Sequence, residues 1–326
     1  MAFAVTTLLG LDARSYTPHT LHGADRLFPE TNCYTDLWIE LLHALGHEPT
    51  AMLAFCVIAD WEGDQWTFVK PPPVDLEQLY GAEIQEYIVY RPLPEHLAEQ
   101  LELGRWSIIE VDGFHLPDTA GRSYQSVHEK TSIAVDSIDQ ESEALRYFHG
   151  PGLFELSGED YREALRIGRP YSPDVLPPYV EFIRFDRLQP CPPEELPQLA
   201  LSLLTRQLER RPTSNPVERF GERLRIDLPG LLGRDAGDYH VYAFATLRQC
   251  GAAWEAASSF LGWLAQFHPP LAGSAEQFGL LAADSKTMLF KLARAATRAR
   301  PFDPAPEIEV MASRWAAGMD RLSQAL

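Results

Sequence analysis

Apolar side chains recur at Tyr34, Leu37, Trp38, Leu41, Leu42 and Leu45, the i, i+3, i+4, i+7 rhythm that gives a helix one buried face. Thr31 or Asn32 stands where an N-cap is needed, and Gly46 stands where the chain must leave the helix. The period then changes. Residues 51–59 form an unbroken apolar run that reads as a buried strand, and 66–70 read as another, stopped by Pro71, Pro72 and Pro73. Helices are expected at 76–80 and 93–103, the latter closed by Gly104. Further strands are expected at 106–111, within 123–138 (with alternation at Ile133 and Val135), at 145–149 across the polar turn 139–143, and at 179–185. The first thirty residues read as a capping or strand-bearing lead-in. Beyond the proline-rich stretch at 189–193 only helical periods remain, at 194–210, 239–267, 275–298 and 307–326. The pattern predicts an α+β domain over 1–189 and an all-α domain over 190–326.

Composition narrows the function classes. With 45% apolar and 23% charged residues, 16 Phe, 12 Tyr and 7 Trp, the 326-residue chain can fill substantial cores. No apolar run is long enough to span a bilayer, and the start lacks a basic n-region followed by a long apolar stretch. The expectation is a cytoplasmic protein with no membrane partner. A net charge of −18 argues against nucleic acid. Two basic clusters interrupt the acidity: Arg206, Arg210, Arg211, Arg219, Arg223 and Arg225, and then Lys286, Lys291, Arg294 and Arg298. Each reads either as a landing place for an acidic partner or as a solvated helix face. Cys33, Cys56, Cys191 and Cys250 show no metal spacing and are expected as free thiols, with no metal and no resident cofactor.

The candidate chemistry centres on Cys33, at the mouth of the first helix. A helix start offers unpaired N–H groups and partial positive charge, which favour a thiolate and can hold an oxyanion at Asn32–Tyr34. A small buried cysteine without chemistry fits the same position. His128, at the opening of a strand, is the best-placed base, and a Cys at a helix start with a later strand His is the arrangement of papain-like enzymes. The third, orienting group is open between His149, at the end of the next strand, and Asp136 or Asp112. The loop carrying Asp118 and Thr119, with Tyr124 after it, reads as a pocket lining or as a turn. Lys70 reads as an anion contact or a strand-end charge.

Several segments resemble a known bacterial family. They are Glu-Thr-Asn-Cys-Tyr-Thr-Asp-Leu-Trp (30–38), Trp-Thr-Phe-Val-Lys-Pro-Pro (66–72), Leu-Pro-Asp-Thr-Ala-Gly-Arg-Ser-Tyr-Gln-Ser-Val-His-Glu-Lys (116–130), Tyr-Phe-His-Gly-Pro-Gly (147–152), Arg-Gln-Cys-Gly-Ala-Ala-Trp-Glu (248–255) and Ala-Asp-Ser-Lys-Thr-Met-Leu-Phe-Lys (283–291). Together they resemble the family of domain of unknown function 1839, whose genes lie beside those of carrier proteins and aminoacyl-carrier-protein ligases. One departure is Gly150, where the resemblance implies Asn in many relatives. The layout also resembles the butirosin biosynthesis protein H family, with a papain-like N-terminal domain, its antiparallel sheet and a helical C-terminal domain. These resemblances imply an acyltransferase. Cys33 would take an acyl or aminoacyl group from the phosphopantetheine arm of an acyl or aminoacyl carrier protein, and His128 would help pass it to a small-molecule amine or hydroxyl. A cysteine hydrolase and a non-catalytic scaffold are the alternatives.

Overall fold

The first helix forms as α1 (Cys33–Ala44), one residue ahead of the periodic stretch. Asn32 is its N-cap, accepting from the N–H groups of Tyr34 and Thr35 through Oδ1, and Gly46 takes the positive φ of 79° that follows its end. The computed structural model describes residues 6–169, 176–232, 236–298 and 300–326, so residues 1–5 of the expected lead-in lie outside the described residues. Contacts divide the chain into two units. The first comprises Met1–Gly23, Asn32–Pro49 and Pro73–Cys191; the second comprises Ala24–Thr31, Thr50–Pro72 and Pro192–Leu326. The continuous part of the second unit thus begins close to residue 190, and two short segments from the N-terminal half join it.

The first unit is α+β. Its strands are β1 (Thr6–Thr7), β2 (Glu83–Glu86), β3 (Trp106–Asp112), β4 (Lys130–Asp139), β5 (Ala144–His149), β6 (Gly152–Ser157) and β7 (Val180–Arg184). They form one sheet in the order β2-β7-β3-β4-β5-β6, with β1 pairing to the far end of β4 and every pairing antiparallel. The remaining helices of this unit are α2 (Pro73–Tyr80), α3 (Leu93–Glu102) and α4 (Glu159–Ala164). Alternation along β3 sends Ile109 and Val111 into a core with Ile133, Val135, Tyr147 and the α3 residues Leu97 and Leu101. Ile108, Glu110 and Asp112 fall on the opposite face, the one that receives α1. Tyr34 of α1 bonds Glu181, which is paired in register with Ile108.

The second unit is helical, with α5 (Leu196–Leu208), α6 (Pro216–Leu231), α7 (Ala236–Ala243), α8 (Gln249–Leu264), α9 (Ala272–Thr297) and α10 (Ala305–Ala325). A π-helical turn, Phe244–Arg248, joins α7 to α8. The strand expected at 51–59 is instead a run of 3-10 turns, Pro49–Ile58, and 66–70 contributes a single bridge, Trp61 to Trp66. An apolar run without alternation fits a buried helical turn as well as a strand, and this unit holds no sheet among the described residues for a strand to join. Helix α6 was not anticipated, since Pro229 inside it and its crowded charges obscure the period. No helix among the described residues is long and apolar enough to cross a membrane.

Candidate functional site

His128 lies two residues ahead of β4, and its side chain is 72% exposed. Its Nδ1 bonds Asp112 Oδ2 at 2.5 Å across the end of β3. The ring stacks on Phe114 with centroids 4.4 Å apart and planes 13° from parallel. Asp112 is itself fixed, its Oδ1 accepting from the N–H groups of Phe114 and Glu129 at 3.0 and 3.2 Å. Burial acts to raise the Asp112 carboxyl, but the bonds from His128 and these two amides outweigh it and hold the group below its ordinary value. An anionic Asp112 takes the Nδ1–H, which leaves Nε2 as the basic nitrogen. Nε2 has no hydrogen bond among the described residues. The pair opens into a cleft of about 650 Å³ that also exposes Glu110, Lys130, Arg166 and Tyr179. Lys130 bonds Glu110 at 3.0 Å on its rim.

Cys33 is the first residue of α1 and is half-buried, and none of the four cysteines forms a disulfide among the described residues. Its sulfur makes no hydrogen bond among the described residues, to His128 or to any other group. The oxyanion site expected at Asn32–Tyr34 is partly occupied by the fold, because the Tyr34 N–H is bonded to Asn32 Oδ1 at 3.1 Å. The Tyr34 hydroxyl donates to Glu181 Oε2 at 2.8 Å, and the other oxygen of Glu181 accepts from Tyr179 at 2.6 Å, a residue of the His128 cleft. A continuous chain of bonds therefore links the residue after Cys33 to the wall of that cleft.

His149 does not stand as the third group. It is 3% exposed, its Nδ1 bonds Asp118 Oδ2 at 2.5 Å and its Nε2 meets Thr131 Oγ1 at 2.7 Å. Both ring nitrogens are engaged, and the residue sits on the sheet face turned away from α1, with Thr131 and Tyr147. Asp118 also accepts from Tyr147 at 2.6 Å, and burial with the adjacent carboxylate raises the tyrosine strongly. The Asp118 side chain is thus a buried anchor. Thr119 closes its own loop by donating to the carbonyls of Gly113 and Leu116. Tyr124 donates to Asp160 at 2.9 Å. Asp136, the other orienting candidate, is fully buried and holds Arg146 and the Leu9 N–H. Burial raises its carboxyl, against the pull of Arg146. Lys70 belongs to the second unit, beside Phe55, Gln207 and Arg210. The arginine cluster at 206–225 is partly engaged inside that unit: Arg219 bonds Asp60 and the Trp61 carbonyl, and Arg223 bonds Asp227.

A third histidine–carboxylate cluster, around His22, was not anticipated from the sequence. His22, 1% exposed at its side chain, bonds Glu40 and lies 3.5 Å from Asp36, both on the buried side of α1. Glu40 also accepts from the Tyr16 hydroxyl and the His19 N–H. Burial opposes charge on His22, but the two carboxylates prevail and raise it to about 9. Two acids spaced i, i+4 on the inward face of an otherwise apolar helix were the available signal.

Residues 17–185 match the DUF1839 N-terminal domain and residues 193–324 match the DUF1839 C-terminal domain. No curated protein matches the chain.

Proposed function

The chain belongs to the DUF1839 family across both of that family's domains, and from that premise we propose that it transfers an acyl or aminoacyl group from a carrier-protein thioester to an amine or hydroxyl acceptor, in a natural-product or non-ribosomal peptide-like pathway. One observation carries the reading: a histidine fixed at Nδ1 by a carboxylate, braced by an aromatic ring, with Nε2 unbonded at an open cleft. An imidazole held this way removes a proton from an attacking group and returns it to a leaving group. The Cys33 sulfur would attack the thioester carbonyl while its proton passes through His128 to the departing pantetheine thiol. The acceptor would then attack the acyl-Cys33 thioester, losing its own proton to His128 and restoring the Cys33 thiol. The order Cys at a helix start, carboxylate on one strand and His ahead of the neighbouring strand supports a papain-like assignment. The phosphopantetheine arm belongs to the carrier protein, so the protein needs no cofactor of its own on this reading.

A second reading, a non-catalytic papain-like scaffold that binds a biosynthetic partner, is favoured by the missing hydrogen bond between Cys33 and His128. One experiment separates the readings. Wild type, Cys33→Ala and His128→Gln are mixed with an aminoacyl-loaded carrier protein and a panel of amines and alcohols, and intact masses are followed. Transfer that falls at least ~100-fold in both variants is expected. Equal unloading by wild type and His128→Gln sinks the proposal. Release of the acyl group to water alone makes the protein a hydrolase. No unloading by wild type across the panel leaves the scaffold.

A further inference from the structure

The second unit contains a pocket of about 360 Å³ that the acyl-transfer reading does not use, lined by Phe28, Glu30, Tyr239, Phe244, Arg248 and Lys286. We propose that this pocket binds a small aromatic molecule carrying one anionic group, an aryl carboxylate or an aryl phosphate.

The segment bearing Phe28 is fixed from below. Glu255 on α8, only 8% exposed, accepts from the Leu27 N–H at 2.9 Å and the Phe28 N–H at 2.7 Å. The Phe28 ring lies on the bare backbone of Gly251, where an added Cβ would meet it at 2.1 Å. This ring is 4% exposed, and the Lys286 ammonium stands 4.7 Å above its centroid. Tyr239 is tied down by its hydroxyl, which donates to the Leu289 carbonyl at 2.7 Å. The walls are therefore aromatic and already in place.

The polar groups are unevenly satisfied. Among the described residues Lys286 makes one hydrogen bond, to the Leu27 carbonyl at 2.9 Å, which leaves two of its three donors unassigned there. The Arg248 guanidinium makes no hydrogen bond among the described residues. Its contacts are the Phe244 ring, 5.4 Å below, and Glu30 at 3.8 Å, beyond hydrogen-bond reach. Arg248 and Phe244 are the two ends of the π-helical turn, a local widening that recurs at functional sites. A planar five-donor fork and an ammonium beside aromatic walls match a ligand with an oxyanion at one end and a flat apolar body at the other. The volume lies near the lower end of the roughly 300–1,000 Å³ usual for small-molecule sites, enough for one ring system. This site belongs to the second unit and His128 to the first, and aryl-anion binding here does not rest on acyl transfer.

The test is calorimetry or ligand-observed NMR on the full chain with four probes: phenylacetate, phenyl phosphate, inorganic phosphate and benzyl alcohol. At least one aryl anion is expected to saturate, at least ~10-fold more tightly than benzyl alcohol or inorganic phosphate. Whether phenylacetate or phenyl phosphate binds better identifies the anion. Arg248→Ala and Arg248→Lys should each weaken that probe at least ~10-fold, the second variant keeping the charge while losing the fork. Gly251→Ala, which displaces the Phe28 ring, should weaken it while both cations remain, with folding checked by circular dichroism. The assignment is overturned if neither aryl anion saturates by ~10 mM, if both Arg248 variants bind like wild type, or if inorganic phosphate binds as tightly as phenyl phosphate.

Discussion

Two His–Asp pairs flank β4, and their geometry is nearly the same: His128 to Asp112 and His149 to Asp118, each 2.5 Å from Nδ1 to a carboxylate oxygen. They differ in what surrounds them. The His149 pair is sealed, with Thr131 on the other nitrogen and Tyr147 on the same carboxylate. The His128 pair is open, with one nitrogen unbonded and the ring 72% exposed. Bond length therefore says nothing about role here. What separates an anchor from a base is whether the second nitrogen is engaged and whether water and substrate can reach it.

The largest effect that sharpens this contrast is on stability. Asp118→Ala leaves a buried tyrosine hydroxyl and a buried imidazole N–H without acceptors, and should cost about 3–5 kcal/mol. Asp112→Ala lets an exposed imidazole turn to water and gives up the carboxylate's two partly exposed amide bonds, and should cost only about 1–2 kcal/mol. Urea unfolding of the two variants under one buffer checks both, and equal losses would erase the distinction between the pairs.

The buried His22 cluster supplies the next effect, through pH. Its folded-state value of about 9 lies above the ordinary 6.5, so the folded state binds the proton more tightly than the unfolded chain. The resulting stability is fully present below pH 6.5, fades as pH rises through 9, and amounts to on the order of 3 kcal/mol. Urea midpoints should fall across that window in wild type and stay flatter in Glu40→Gln. A midpoint that rises over the same range would contradict a cationic His22.

A smaller loss follows from Thr131→Val, which keeps the strand's shape but removes the partner of His149 Nε2. About 1–2 kcal/mol is expected by the same unfolding measurement. A neutral result would mean that the His149 network rests on Asp118 alone.

The two pairs also show how far the sequence reaches. The helix at Cys33 and the central strands were legible because burial on one face imposes a period on the residues themselves. The 3-10 run at 49–58 was not, since an apolar stretch buried on all sides carries no period. Strand β2 is four residues long, too short for alternation to stand out. His128 and Asp112 were both readable as candidates. The different standing of His149 was not, because occupation of its second nitrogen depends on Thr131 lying opposite in the sheet, a tertiary fact. The same limit applies to the charges: Arg219 and Arg223 read as one basic patch until their partners Asp60 and Asp227 are seen beside them.

The smallest structural change is the most telling for function. In Asp112→Asn, the oxygen that now accepts from the Phe114 and Glu129 amides must remain an oxygen, because both partners are donors. The new NH₂ group is then turned toward His128 Nδ1, which has to accept, and the ring proton moves to Nε2. The base is disabled although the ring stays where it is. Stability should change by less than ~1 kcal/mol, since the site is partly exposed, while acyl transfer should fall about 10²–10⁴-fold. Nitrogen-15 correlation spectra of the His128 ring would report the tautomer directly. A switched tautomer with transfer reduced less than ~3-fold would remove His128 from the role of base.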